Sequence, residues 1–469
     1  MSNDYGWERF WCLRGETIHL DSKGFLSDPN SKYSPNDLLS NLLSTRSLSE
    51  ARGHDDKPLS CLILLGEPGI GKTRELKRLH EEEKKLADDS GNLVLKYNLG
   101  NCTDAQELRE KVFRSPVFRQ WQSNENRLFL HLDSLDEGLL SLRRLSQLIL
   151  AELKDEGVKP HLSRLFLRIT CRSAIWSSNF EHGLVDLWGD QVTPYELAPL
   201  RRVDVEQAAS ENKIDPLMFL KEIAVKEVSA LAIRPMTLNF LISSFERGQE
   251  LPSEKHRIYY KGCQQLCKEL NPDRRSSQQT GSLNEDQRLV VAGRIAAVMT
   301  FANRGSIYLG SGNPDKDDLT CSEIRGGKET VNGNDFEIND NELKETLDTG
   351  LFNARGDDRL GWAHQTYQEF LAAWYLQKHR LEKSQILSLI THHGDEEGKL
   401  VPQLHETSAW LASKNDDVFS EILKTDPNVL LNSDIETFGD EQKKQLINAL
   451  FVAYEEKKLF DNWYRSQKL

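Results

Sequence analysis

The sequence predicts an α/β P-loop fold, a parallel sheet with flanking helices, continued by a helical lid, a winged-helix domain and the start of an α-helical, solenoid-like region. Three stretches predict it. At 60–73, S-C-L-I-L-L-G-E-P-G-I-G-K-T, an apolar run enters a glycine loop. At 127–138, R-L-F-L-H-L-D-S-L-D-E-G, a second apolar run ends in acids. From 342 to 376 a helix, a hairpin and a helix follow one another, which is winged-helix order.

The first stretch carries the chemistry. Residues 61–65 have the length and apolarity of a buried parallel strand, and Gly66-Glu67-Pro68-Gly69-Ile70-Gly71-Lys72-Thr73 satisfies G-x-x-x-x-G-K-[ST] without a gap. Glycines let successive backbone N–H groups turn inward around phosphate oxygens, and the helix that starts next adds its positive end. Lys72 is placed to reach the β- and γ-phosphates. Thr73 offers a hydroxyl to Mg²⁺, which needs an acidic partner from elsewhere in the chain.

The second stretch supplies that partner. An apolar strand carries Asp133 to its C-terminal end, where open α/β sheets place their ligands. Asp136 and Glu137 follow, and either suits the orientation or deprotonation of a water, a role that a metal-bound Asp133 fills poorly. A further strand at 165–171 (L-F-L-R-I-T-C) ends in Arg172-Ser173. Thr170 and Arg172 at its tip suit sensing of the γ-phosphate, whose extra charge separates triphosphate from diphosphate. A plain surface arginine is the alternative.

Composition bounds the rest. The 469 residues suffice for two to four domains, and 38% hydrophobic content is adequate for packed cores. There is no apolar run of about 18 residues, and Met1-Ser2-Asn3-Asp4 does not open a secretory signal. Seven scattered cysteines without a C-x-x-C pair indicate a reducing, cytoplasmic setting. Cys263 and Cys267, one helical turn apart, are expected in a core. The net charge of −13 argues against broad attraction to nucleic acid.

Along the chain, 1–57 reads as a lead segment packed on the core, with a helix at 38–43. Residues 58–200 read as the P-loop core, with a helix at 74–87, a strand at 92–99 and a capping box from Thr103 to Gln106. Residues 201–273 read as the helical lid, interrupted by Pro235, since proline ends or kinks a helix. Residues 274–380 read as the winged-helix domain. It begins with a polar linker at 274–282 and a buried helix at 289–302, then a helix stopped by Gly350, strands around Gly356-Asp357, and a helix from His364 whose Tyr367, Phe370 and Ala373 share one face. His364 alone reads as structural. Residues 381–469 read as amphipathic helices, with Leu446, Ile447, Leu450 and Tyr454 on one face, and as the possible start of a repeat array in a longer protein.

Together these stretches resemble the NACHT branch of the STAND NTPases, the group of NOD-like receptors and many bacterial antiphage sensors, over about residues 58–380. The discriminating strings are D-S-L-D-E and H-Q-T-Y-Q-E-F-L-A-A, supported by I-T-C-R-S and P-M-T-L. The resemblance implies that ATP or ADP binds with Mg²⁺, that Lys72 and Thr73 contact phosphate and metal, and that Asp133 holds the metal. It implies hydrolytic acids at Asp136 and Glu137, a first sensor at Thr170 and Arg172, a proline near the adenine at Pro235, and a histidine touching phosphate in the closed state at His364. Two positions depart from the pattern: Ser134 stands where glycine is common, and Ser173 where proline often follows the arginine. No N-terminal effector domain is recognisable, so output is expected from a partner protein or from beyond Leu469.

The implied function is a switch that hydrolyses ATP slowly and self-associates on a trigger, in antiphage defence. A constitutive AAA-type motor or clamp loader is one alternative. A winged-helix DNA-binding regulator is another, against which the acidic balance counts.

Overall fold

The computed structural model describes residues 5–16, 18–27, 45–47, 59–142, 144–248, 250–268, 283–310, 312–355, 358–395 and 398–456. The expected helix at 38–43, the linker at 274–282 and the Gly356-Asp357 turn lie outside the described residues.

Seven strands form the main sheet: β1 (Phe10–Leu13), β2 (Thr45–Ser47), β3 (Cys61–Gly66), β4 (Leu93–Asn98), β5 (Leu128–Asp133), β6 (Leu165–Arg172) and β7 (Val192–Leu197). Their order is β2-β1-β7-β3-β6-β5-β4. From β7 to β4 all neighbours are parallel, and the central strands β3, β5 and β6 are buried on both faces, as is usual in parallel sheets. Residues Leu62 and Leu64 of β3 pack with Leu76 and Leu79 of the crossover helix α1 (Lys72–Ser90) on one face. Ile63 and Leu65 pack on the other face with Leu130, Leu132 and Ile169.

The lead segment gives the sheet an edge. The aromatic cluster at 7–11 enters β1, which pairs antiparallel with β7 in the register Trp11↔Leu197 and with β2 in the register Trp11↔Arg46. A charged residue in the middle of β6 is also explained: buried Arg168 donates Nε–H to Glu83 Oε1 of α1 at 3.0 Å. Buried His131 Nε2 lies 2.8 Å from the other Glu83 oxygen.

The capping box expected at Thr103 and Gln106 is displaced by one residue. Asp104 caps the short helix by accepting from Gln106 N and Glu107 N, and Glu107 reaches back to Thr103 N at 2.9 Å. An aspartate outranks a threonine as a cap here, because it accepts two backbone N–H groups at once. Helix α2 (Leu135–Ser141) follows β5 directly.

Beyond β7 the chain is helical: Arg202–Glu211, Pro216–Val225, Ser229–Ala232, then α3 (Pro235–Gly248) and Lys255–Leu266. Pro235 occupies the first position of α3, where its missing N–H costs nothing, and the Arg234 carbonyl accepts the first helical bond from Leu238 N at 2.8 Å. Next come α4 (Glu285–Phe301), β8 (Ser306–Tyr308), β9 (Asp318–Thr320), the hairpin β10 (Lys328–Val331) and β11 (Asn334–Glu337), and α5 (Asp340–Leu347). The hairpin β12 (Phe352–Ala354) and β13 (Arg359–Trp362) then leads into α6 (Gln365–Lys378). This winged-helix region is larger than the sequence reading implied, because β12 and β13 continue into a four-stranded sheet β12-β13-β8-β9.

Helices α7 (Lys383–Ile390), α8 (His405–Ala412), α9 (Asp416–Thr425) and α10 (Asp440–Glu455) close the described chain. Cys263 and Cys267 are buried in the core that these regions share, along with Leu231, Phe370 and Leu411. No helix among the described residues is long and apolar enough to cross a membrane.

Candidate nucleotide site

Parallel register brings the predicted residues to one edge of the sheet. Gly66 pairs with Arg172, and Asn98 with Asp133, so the mouth of the glycine loop, the arginine tip and the acidic tip lie side by side. The loop turns through Gly69 and Gly71 at φ 73° and 112°, the region where a side chain is costly. Gly71 leads α1 with no side-chain cap. The first N–H groups of that helix are therefore available to an anion. Lys72 points into the bowl and donates to Gly66 O at 2.7 Å and Glu67 O at 3.0 Å. Burial holds its ammonium below the ordinary lysine range, against the pull of Asp136.

The metal residues converge as well. Thr73 Oγ1 lies 3.4 Å from Asp133 Oδ1, and Thr170 donates to the same carboxylate oxygen at 2.5 Å. Thr170 Oγ1 in turn accepts from Ser134 N at 2.8 Å. Ser134 sits at φ 57° in the left-handed region, which explains why glycine suits this position. A hydroxyl and a carboxylate fit Mg²⁺, which takes few protein oxygens and completes its shell with water and phosphate. When bound, it would neutralise phosphate charge between Thr73 and Asp133. Among the described residues no group of three His, Cys, Asp or Glu forms a protein-only metal cage.

Asp136 and Glu137 separate in placement. Asp136 is buried and held by Arg172, whose Nε lies 2.8 Å from Oδ2 and whose backbone N–H donates to Oδ1 at 3.2 Å. Glu137 stands beside Gly100, where a Cβ would meet its Oε2 at 2.6 Å. Arg172 also reaches Asp348, just past α5, through Nη1 at 3.1 Å. A cavity of about 470 Å³ opens beside the loop, within the range of small-ligand sites. Gly66, Glu67 and Ile70 form one wall, Ile233 and Arg234 a second, and Ala363 and His364 a third.

His364 caps α6. Its Nδ1 accepts from Thr366 N at 3.2 Å, which places the ring proton on Nε2 as a donor. Burial and the nearby Arg234 lower its pKa to about 4. The histidine is neutral at pH 7. Pro235 is not among the residues that line the cavity; the residue before it, Arg234, takes that place.

Two residues escaped sequence reasoning. Arg9 donates to Ile70 O at 2.9 Å and to Ala198 O at 2.7 Å, and so ties the glycine loop to the lead segment. Burial lowers its pKa to about 10. Arg234 pairs with Glu67 at 3.1 Å. An arginine beside an aromatic cluster and an arginine before a helix-starting proline are the only signals either leaves in sequence.

The order β7-β3-β6-β5-β4, with β6 between the P-loop strand and the acidic strand, and the converging Lys72, Thr73 and Asp133 define a P-loop NTPase fold. Comparison with known proteins adds likeness only among solved structures. The Aeropyrum pernix ORC2 protein, solved as ADPNP-ADP complexes, is 12% identical with a TM-score of 0.34, over 71% of this chain and 91% of that one. Cdc6p of Pyrobaculum aerophilum is 14% identical with a TM-score of 0.28, over 74% and 92%. The Aeropyrum pernix ORC1 protein, solved in complex with DNA, is 16% identical with a TM-score of 0.29, over 71% and 91%. No protein-family model matches the chain, and no curated protein does.

Proposed function

We propose that this chain is a nucleotide-dependent ATPase of the STAND kind, in which ADP holds the winged-helix region closed over the P-loop and ATP releases it. The observation that supports this reading is Arg172: one guanidinium, on the strand that would sense the γ-phosphate, is shared between Asp136 beside the metal residues and Asp348 beside the winged-helix sheet. A γ-phosphate at the loop would compete with both carboxylates for that cation, and losing Asp348 would loosen the closed form. His364, on the same cavity, supplies a neutral donor that suits an ADP phosphate.

The test is the nucleotide retained by purified protein and its release. ADP that copurifies, leaves slowly, and leaves faster from His364→Ala would support the switch. A constitutive AAA-type ATPase is the second reading, because the sheet order and the succession of lid and winged helix serve it equally. It would show steady turnover without a trigger and no ADP retention. If that turnover rises with duplex DNA in a salt-sensitive way, the winged-helix region would be the DNA-facing part.

A further inference from the structure

Helix α10 is covered on one side only. Leu446 and Ala453 are buried against the rest of the chain, while on the opposite side Ile447, Phe451, Val452 and Tyr454 are 48%, 65%, 52% and 67% exposed. A surface helix ordinarily turns its apolar stripe inward and its charges outward. This helix has apolar residues on both sides, and a contiguous exposed patch rimmed by polar groups marks a contact surface.

The charges on the outer side are self-complementary. Lys444, Phe451 and Glu455 stand at i, i+7 and i+11, so they share one line along the helix. Lys444 and Glu455 are exposed, and neither forms an ion pair among the described residues. Roughly 16 Å of helix separates them. If a second α10 crosses antiparallel with the two-fold axis midway between these two, Lys444 meets Glu455 of the second copy, and Glu455 meets its Lys444. The same register sets Ile447 against Val452, because that pair has the same midpoint. A parallel partner would set lysine against lysine and glutamate against glutamate. Asp440 and Glu441, in the first turn, answer the positive end of the helix itself.

We propose that the outer face of α10 is a self-association surface, on which a second copy of this chain docks its own α10 antiparallel. Such an isologous contact uses one patch on both copies and closes as a dimer. It uses no residue of the nucleotide cavity and does not rest on that reading. One helix pair is a small interface, so the contact belongs at the weak end of specific association.

Sedimentation equilibrium of the full chain over a concentration series tests this, in the parent, K444E, E455K, K444E/E455K and an equimolar mixture of the two single variants. The parent should dimerise reversibly with a Kd of about micromolar order. Each single variant replaces two attractive pairs of the symmetric contact by two repulsive ones, so each should dimerise about tenfold more weakly or worse. The mixture and the double variant should recover the parent affinity, because both charge pairs are again opposite. The substituted positions are exposed, so melting should not change. A parent that stays monomeric overturns the proposal; if Phe451 and Tyr454 are then still protected from hydroxyl radicals, the face is covered within the chain, with residues 457–469 the first candidate. Single variants that dimerise like the parent overturn it by placing the contact elsewhere. A mixture as weak as its components overturns it by removing the antiparallel register.

Discussion

Arg172 Nη1 donates to Asp348 Oδ2 at 3.1 Å, across 176 positions of sequence. This bond ties β6 to the winged-helix region. In Asp348→Asn the shape stays and the charge goes, so the bond is weakened by about 1 kcal/mol or more, worth roughly five- to tenfold in a two-state equilibrium. Release of a fluorescent ADP analogue should quicken by that factor, with little change in melting temperature. Unchanged release would make the contact incidental to closure.

Asp133 and Glu137 should part in their effects. Asp133 shares its oxygen with Thr73 and Thr170, so Asp133→Asn should weaken Mg²⁺-dependent binding. Glu137→Gln should leave binding intact and slow phosphate release by about a hundredfold or more, since general bases contribute on that scale. If it turns over at the parent rate, Asp136 has to be reconsidered as the base despite its engagement with Arg172.

Acid should destabilise the protein through two histidines. His256 and His364 are held at about 4, by burial first and then by Lys414 and Arg234 respectively. Between that value and the ordinary 6.5 the unfolded chain binds more protons, so stability falls as pH drops from 6.5 toward 4. Each accounts for on the order of 3 kcal/mol at most. Glu196 and Glu369, raised to about 7 by burial, act in the opposite sense: their contribution is present below pH 4.5 and is lost as pH rises through 7. The parent should therefore lose stability to acid more steeply than H256Q/H364Q in urea titrations. Equal slopes in the two proteins would acquit the histidines.

Gly138 should not tolerate a methyl group. A Cβ there would lie 2.5 Å from Leu145 Cδ2 and 2.7 Å from the Leu99 carbonyl, and the carbonyl belongs to backbone that cannot rotate away. Gly138→Ala should cost about 1–3 kcal/mol. Gly305→Ala, which meets nothing within 4 Å, should stay within about 0.5 kcal/mol. Urea unfolding of both variants checks the contrast.

What the sequence made legible was whatever chemistry requires in fixed spacing. The loop 66–73, the strands ending at Asp133 and Arg172, and the helix after His364 all stand where their residues pointed, because apolar runs and glycine geometry are local. The partners of Arg172 and Arg234 were not legible. Asp348 and Glu67 reach them only through tertiary packing, and no local pattern encodes that. Strand β1 was hidden for the same reason: its four residues resemble any aromatic patch until β7 lies beside them. The β10–β11 hairpin is a different case. Asn332-Gly333, at φ 51° and 80°, is the dipeptide that favours such a turn, and sequence reasoning passed over it.

The pairing of β1 with β7 sets an order of events during synthesis. Arg9 steadies the glycine loop by holding Ile70 O and Ala198 O at once, so the second hold must wait until the polypeptide has been made past residue 198. At typical ribosomal speeds that interval is roughly 10–40 s. The phosphate-binding loop is translated early but acquires its brace late, after the strand that carries Arg172 has emerged. On the proposed reading, a nascent chain would gain a firm grip on nucleotide only once Thr170 and Arg172, the expected sensors, have been made.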